Sequence, residues 1–449
     1  MVAGTHSGAG KTTVTLTLLH AMTTKGLSVQ PFKVGPDFID TAYHGEIAGR
    51  ASVNLDLWMM GPDIVRSSFE RFSADSDVAL IEAMGALYDG EDGTERGSAA
   101  DVAKLLDVPI ILVIDIWGMT RSTIPLLTGF LSFDADLKFA GFVMNRAGSD
   151  RHAAMVRDAL PHHLRALCLG YVLHSDQLAI PERHLGLVTP DENAVNTSTR
   201  RAALSSAKSG LDIDALIPAP SAKSQNIATP LQISGDKVRI AIARDSAFSF
   251  YYLENLAFLE QAGAELCPFS PISDTSLPTN ISGIYLGGGY PESFATELAS
   301  NLPLVDQLRQ LTCLALPMYA ECGGFIYLGR SLTLFDGTTQ PMVDVFPVDI
   351  VMDPKHLAIR YVSVRTTTAS ALGPAGTIAR GQEFHQSRIV KSLAGTEFYE
   401  VTASNGEHFE HGMQRGGATG SYIHLHFASN PAIPQHFVQS CRAWSREFL

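Results

Sequence analysis

Short apolar runs alternate with helix-period stretches through the first half of this 449-residue chain. Residues 28–34, 78–82, 109–115 and 139–145 gather Val, Ile, Leu and Phe over strand length. Between them, residues 99–106 and 123–130 have helical character. Leu16, Leu18, Leu19 and Met22 recur at helical spacing within residues 14–25. This alternation predicts an α/β domain with a doubly wound, mostly parallel sheet. In such sheets the functional residues collect beyond the carboxyl ends of the strands, where Glu82, Asp115 and Asn145 stand.

The pattern breaks near residue 216. Residues 217–225 are rich in Pro, Ala and Ser and read as a linker. A strand pattern restarts at 237–243, and 251–262 follow as a helix. Two domains are therefore expected, 1–215 and 237–449, joined by 216–236. A length of 449 residues is in any case too great for one core. Another apolar run, 314–318, reads as a buried strand of the second domain.

Two glycine-rich motifs carry chemistry. The first reads Gly4-Thr5-His6-Ser7-Gly8-Ala9-Gly10-Lys11-Thr12-Thr13. Gly8 and Gly10 free the backbone to wrap phosphates, Lys11 can reach the β- and γ-phosphates, and Thr12 can hold Mg²⁺. Thr5 stands where the strict pattern has Gly, so this is a variant P-loop. The strand ahead of it spans only about three residues, short for a sheet centre. The second motif reads Met318-Tyr319-Ala320-Glu321-Cys322-Gly323-Gly324. A cysteine placed between a strand and a helix, with glycines after it, is written as a nucleophile elbow. A thiolate at a helix N-terminus is expected to have a lowered pKa. The alternative is a small buried cysteine.

Other loops fit around these two. Lys33 precedes Gly35-Pro36-Asp37-Phe38-Ile39-Asp40, where the carboxylates either reach Mg²⁺ or cap a helix. Glu82 ends an apolar strand, as a metal carboxylate opposite a P-loop does. Asp89-Gly90 faces the substrate or forms a plain turn, and Asn145 can offer an amide to an adenine edge. Gly287-Gly288-Gly289 follows a strand and can present N–H groups as an oxyanion hole, with Gly323. For the base, His424 is favoured over His385. His426 occupies the position two residues on, where amidotransferase triads carry Glu, so a Cys–His dyad is expected.

Composition narrows the partners. A formal net charge of −13 argues against nucleic acid or an anionic membrane. Five widely spaced cysteines without a CxxC pair argue against a disulfide framework or a zinc cluster, and a reducing cytoplasm fits. No apolar run reaches membrane-spanning length.

Taken in order, these segments resemble the cobyrinic acid a,c-diamide synthase family over nearly the whole chain. The first half is similar to the dethiobiotin synthetase fold, and the second to a class I glutamine amidotransferase domain without a complete triad. The resemblance implies glutamine-dependent, ATP-driven amidation of the a and c carboxylates of cobyrinate or hydrogenobyrinate. Cys322 would be the nucleophile and His424 its base, with Gly288, Gly289 and Gly323 at the oxyanion. Gly8, Gly10, Lys11, Thr12, Thr13, Lys33 and Asn145 would bind ATP. Thr12, Asp37 and Glu82 would hold Mg²⁺. Asp40, Tyr43, Asp89 and His184 would meet the corrinoid polyacid. A homodimer is left open. Gln386 and Thr41 depart from the family pattern at positions that bear on substrate contact. Cobyric acid synthase and a nickel-sirohydrochlorin diamide synthase are the related alternatives, and a regulatory P-loop ATPase is the alternative of another class.

Overall fold

The computed structural model describes residues 1–178, 197–206, 210–217, 237–391 and 397–449. The chain divides into two compact units, Met1–Ala228 and Thr229–Leu449. Residues 218–236, most of the expected linker, lie outside the described residues.

In the first unit the described strands are β1 (Val2–Gly4), β2 (Val29–Val34), β3 (Val53–Leu55), β4 (Val78–Glu82), β5 (Ile110–Asp115), β6 (Phe139–Ala147) and β7 (Cys168–Leu173). They form one sheet in the order β3-β2-β4-β1-β5-β6-β7. Every pairing is parallel. The three-residue β1 does lie at the centre, between β4 and β5. Its residues are buried, as a strand covered by helices on both faces requires. The helix Lys11–Thr24 starts directly after the loop that follows β1. The order reverses at β1, so the loops after β1, β2 and β4 open onto the same crevice.

In the second unit, β8 (Val238–Ala243), β9 (Ala264–Phe269), β10 (Gly283–Leu286) and β11 (Met318–Glu321) run parallel in the order β9-β8-β10-β11. The strand Ala418–Ser421 continues this parallel set beside β11. Antiparallel strands His408–Arg415, Glu397–Ala403, Ala358–Thr366, Ile378–His385 and Ile423–His426 complete a sheet of ten described strands. A four-stranded sheet built from Ser331–Thr333, Thr339–Pro341, Asp349–Met352 and Ser387–Lys391 lies apart from it.

The strand expected at 314–318 begins later, at Met318. The helix Leu302–Cys313 runs up to that point, and Ala315 turns the chain with φ 54°. Pro317 has no N–H for a ladder, so pairing starts at Met318, against Ile284 and Ala418.

Candidate active site

The P-loop builds the first site. Gly10 takes φ 87°, and its neighbour Ala9 offers a carbonyl to Nδ2 of Asn145 at 2.9 Å. The Asn145 amide is therefore committed to the underside of the loop and is 2% exposed. Lys11 donates to the carbonyl of Gly85 at 2.6 Å. Burial, and then Lys33, lower the Lys11 pKa.

Beneath the loop, buried charges form one network. Lys33 Nζ lies 2.5 Å from Asp40 and 2.9 Å from Glu82. Thr12 donates to the same Glu82 oxygen at 2.8 Å, and His44 Nε2 holds the other at 2.7 Å. Burial disfavours the charge on Lys33, yet Asp40, Glu82 and Asp37 outweigh it and raise its pKa. Burial also opposes the Glu82 carboxylate, but Lys33 and His44 hold it well below the usual range. Asp40 is pushed up to about 7, by burial first, with Lys33 pulling the other way.

The two aspartates of this loop make different contacts. Asp37 Oδ1 accepts the N–H groups of Ile39 at 2.7 Å and Asp40 at 3.0 Å, which is helix capping. Asp40, expected at the substrate, instead stands 3.4 Å from the Thr12 hydroxyl, within the charge network. Tyr43, also expected at the substrate, is fully buried under the Arg200 guanidinium, 4.4 Å from its ring centroid. It packs the core here. Asp89 stands exposed in the loop after β4. His184 lies outside the described residues. His44 was missed by the sequence reading. Its signal is the spacing of four from Asp40, which puts both on one face of the helix Ile39–Ala48.

The second site is the elbow. Cys322 has φ 46° and ψ −100°, a strained conformation for a non-glycine residue. Its N–H donates to Ser421 at 2.8 Å, and the Gly324 N–H donates to Gly287 at 2.9 Å. A Cβ on Gly324 would meet the Leu286 carbonyl at 2.4 Å, so glycine is needed there. The turn therefore packs directly on the triple-glycine loop. The Gly323 N–H bonds the thiol. The Gly288 N–H instead donates to Phe250 at 3.2 Å. That removes Gly288 from the expected oxyanion donors and leaves Gly289 and Gly323. A Cβ on Gly323 would come within 3.0 Å of the Gly289 nitrogen, so these two glycines pack against each other.

The thiol does not have the low pKa expected from its helix end. Burial, then Glu292, with Glu321 and Glu383 adding, push it well above the ordinary value against the Gly323 N–H. The helix Gly323–Leu328 is six residues long and offers little dipole to oppose them. Proton removal must therefore be coupled to a base. His424 is buried and lowered to about 3, by burial first and then by His385, so its ring is neutral. A Cβ on Gly288 would strike its Cε1 at 2.3 Å, which places the ring against the glycine loop. Its Nδ1 lies 3.9 Å from Glu321. The rival His385 has both nitrogens engaged, Nδ1 by the Ser387 carbonyl at 2.9 Å and Nε2 by Glu383 at 2.8 Å.

Two families match these two units. Residues 1–188 match the CobQ/CobB/MinD/ParA nucleotide binding domain, and residues 239–432 the CobB/CobQ-like glutamine amidotransferase domain. A cobyrinate a,c-diamide synthase of Caldanaerobacter subterraneus subsp. tengcongensis is 35% identical over 448 residues, covering 100% of this chain and 99% of that protein. Its counterpart in Syntrophotalea carbinolica is 38% identical, covering 99% of each chain.

The chain belongs to the cobyrinate a,c-diamide synthase family.

A further relative of the same name, from Salmonella typhimurium, is 36% identical and covers 98% of each chain. The family is one of ligases, and its two domains fit glutamine-dependent, ATP-driven amidation. Arg360 pairs with Glu383 at 2.6 Å and Glu407 at 2.8 Å.

Proposed function

We propose that this chain amidates the a and c side-chain carboxylates of cobyrinate, using ATP and glutamine. The observation that carries the reading is full-length similarity to relatives of that name, joined to a P-loop in one unit and a cysteine elbow in the other.

His424 takes the proton from Cys322, and the thiolate attacks the side-chain amide carbon of glutamine. The N–H groups of Gly289 and Gly323 receive the oxyanion. The C–N bond then breaks, His424 returns the proton, and ammonia leaves a thioester on Cys322. Water hydrolyses this to glutamate. In the nucleotide unit a corrinoid carboxylate oxygen attacks the γ-phosphorus of ATP, and ADP departs. Ammonia attacks the resulting acyl phosphate, and phosphate leaves as the amide forms. Two rounds complete the product. Phosphorylation is needed because a carboxylate carries no good leaving group. Lys11 and Lys33 offset the charge that develops in transfer.

The hard oxygens of Thr12, Glu82 and Asp40 suit Mg²⁺. Among the described residues no three His, Cys, Asp or Glu side chains group as a metal site, so the nucleotide's own oxygens would complete the shell. When bound, the ion neutralises phosphate charge. Among the described residues no helix is long and apolar enough to cross a membrane, and the five cysteines are free. The free cysteines support a reducing cytoplasmic setting.

The test supplies purified protein with MgATP and cobyrinate, and with either glutamine or ammonium as donor. Mass spectrometry should show two amides gained with either donor. Cys322→Ala should lose the glutamine-dependent gain and keep the ammonium-dependent one. Absence of amidation of the corrinoid with both donors refutes the substrate.

A further inference from the structure

The expected dyad leaves His424 without the carboxylate that a triad places two residues downstream. That position holds His426, whose ring packs on Tyr252 at 4.7 Å and carries no negative charge. We propose that Glu321, the residue immediately before the nucleophile, is the positioning carboxylate of the glutaminase site, orienting His424 through Nδ1 and balancing the charge its ring acquires. This deepens the function proposed above and rests on it.

The placement follows from the strand. Tyr319 and Glu321 lie two apart on β11 and share one face, while Cys322 is carried off by the turn. Tyr285 lies directly beside Tyr319 in the parallel pair of β10 and β11. Both phenols point at the carboxylate. Tyr319 donates to Oε1 at 2.5 Å and Tyr285 to Oε2 at 2.9 Å. The Leu425 N–H, next to His424 on its own strand, donates to Oε1 at 3.0 Å. Asn255 clamps the same strand, donating to the Leu425 carbonyl and accepting from Phe427, each at 2.7 Å. Glu321 is 1% exposed. Its Oε2 faces His424 Nδ1 at 3.9 Å, long for a hydrogen bond. Catalytic hydrogen bonds are often long in a free enzyme and tighten once substrate is bound. Glu383, the other buried carboxylate nearby, is already held by His385 and Arg360.

A competing account makes Glu321 only a stitch between β11 and the strand Ile423–His426. Glu321→Gln separates the two, because Gln keeps the size and an oxygen for the Leu425 N–H while losing the charge. Steady-state glutamine hydrolysis by the full chain should lose at least about 100-fold in kcat, with the KM for glutamine near the native value. Ammonium-dependent amidation should persist. Glutaminase kcat within about threefold of the native protein overturns the proposal. Should Glu321→Gln also lose ammonium-dependent amidation, Tyr285→Phe decides. It keeps the charge but frees Oε2, and the proposal requires a lower kcat at unchanged KM; an unchanged kcat overturns it. A native protein that hydrolyses no glutamine fails at the proposed function itself, which Cys322→Ala reads separately.

Discussion

Gly10 has φ 87°, and a Cβ built on it falls 2.0 Å from Nδ2 of Asn145. Gly8 has φ 85°, but a Cβ there meets nothing within 4 Å. The two glycines of one loop are thus required for different reasons. An alanine at either position costs about 1–3 kcal/mol of backbone strain. At residue 10 it must also displace the amide that supports the loop. Gly10→Ala should therefore weaken ATP binding by more than about tenfold, and clearly more than Gly8→Ala does. Equilibrium binding of a fluorescent ATP analogue measures both, and equal losses would contradict the assignment. Glutamine hydrolysis by the other unit serves as the control for folding.

The triple-glycine loop after β10 shows the same logic over a whole element. Gly287 lies beneath Tyr251, whose hydroxyl accepts its N–H at 2.8 Å. Gly289 approaches the Ala247 carbonyl so closely that a Cβ would lie 2.0 Å from it. Gly288 faces the His424 ring. Gly288→Ala should push that imidazole off line, and a displacement of about 1 Å can cost about 100-fold in rate. We expect glutamine-dependent amidation to fall by that order and ammonium-dependent amidation to stay. A variant with both activities intact would move the base elsewhere. This loop also marks where sequence stops being informative. Gly8 to Thr13 could be read directly, because a phosphate cradle is made from consecutive residues. The elbow was legible for the same reason. Three features were not: Asn145 supporting the P-loop, His44 on Glu82, and Glu321 facing His424. Each pairs residues at least 38 positions apart. Only the folded sheet brings them together. The raised thiol pKa was hidden likewise, because burial and Glu292 act through space.

The second unit buries an unusual set of titratable groups, and this predicts how the molecule answers to acid. His411 is lowered to about 4, and His424 and His426 to about 3, all by burial. Unfolded, each takes up a proton as pH falls below 6.5. Folded, each stays neutral until pH nears its lowered value. Their contribution is thus fully present above pH 6.5 and is lost progressively as pH falls toward 4 and 3. Glu321 opposes them. Burial pushes it up to about 7 from 4.5, so between those values the folded state keeps a proton that the unfolded state has lost. Its effect is to reduce stability as pH rises through that window. Three imidazoles outweigh one carboxyl, so acidification from pH 7.5 to 5.0 should cost the unit on the order of a few kcal/mol. Trp444 reports on this unit once Trp58 and Trp117 are replaced by Phe. Urea unfolding followed by its fluorescence should show the midpoint falling at pH 5.0. In Glu321→Gln the opposing contribution is gone, and the fall should be steeper. A midpoint that rises on acidification would show that the buried histidines are charged in the folded protein, and the neutral base assigned to His424 would have to be given up.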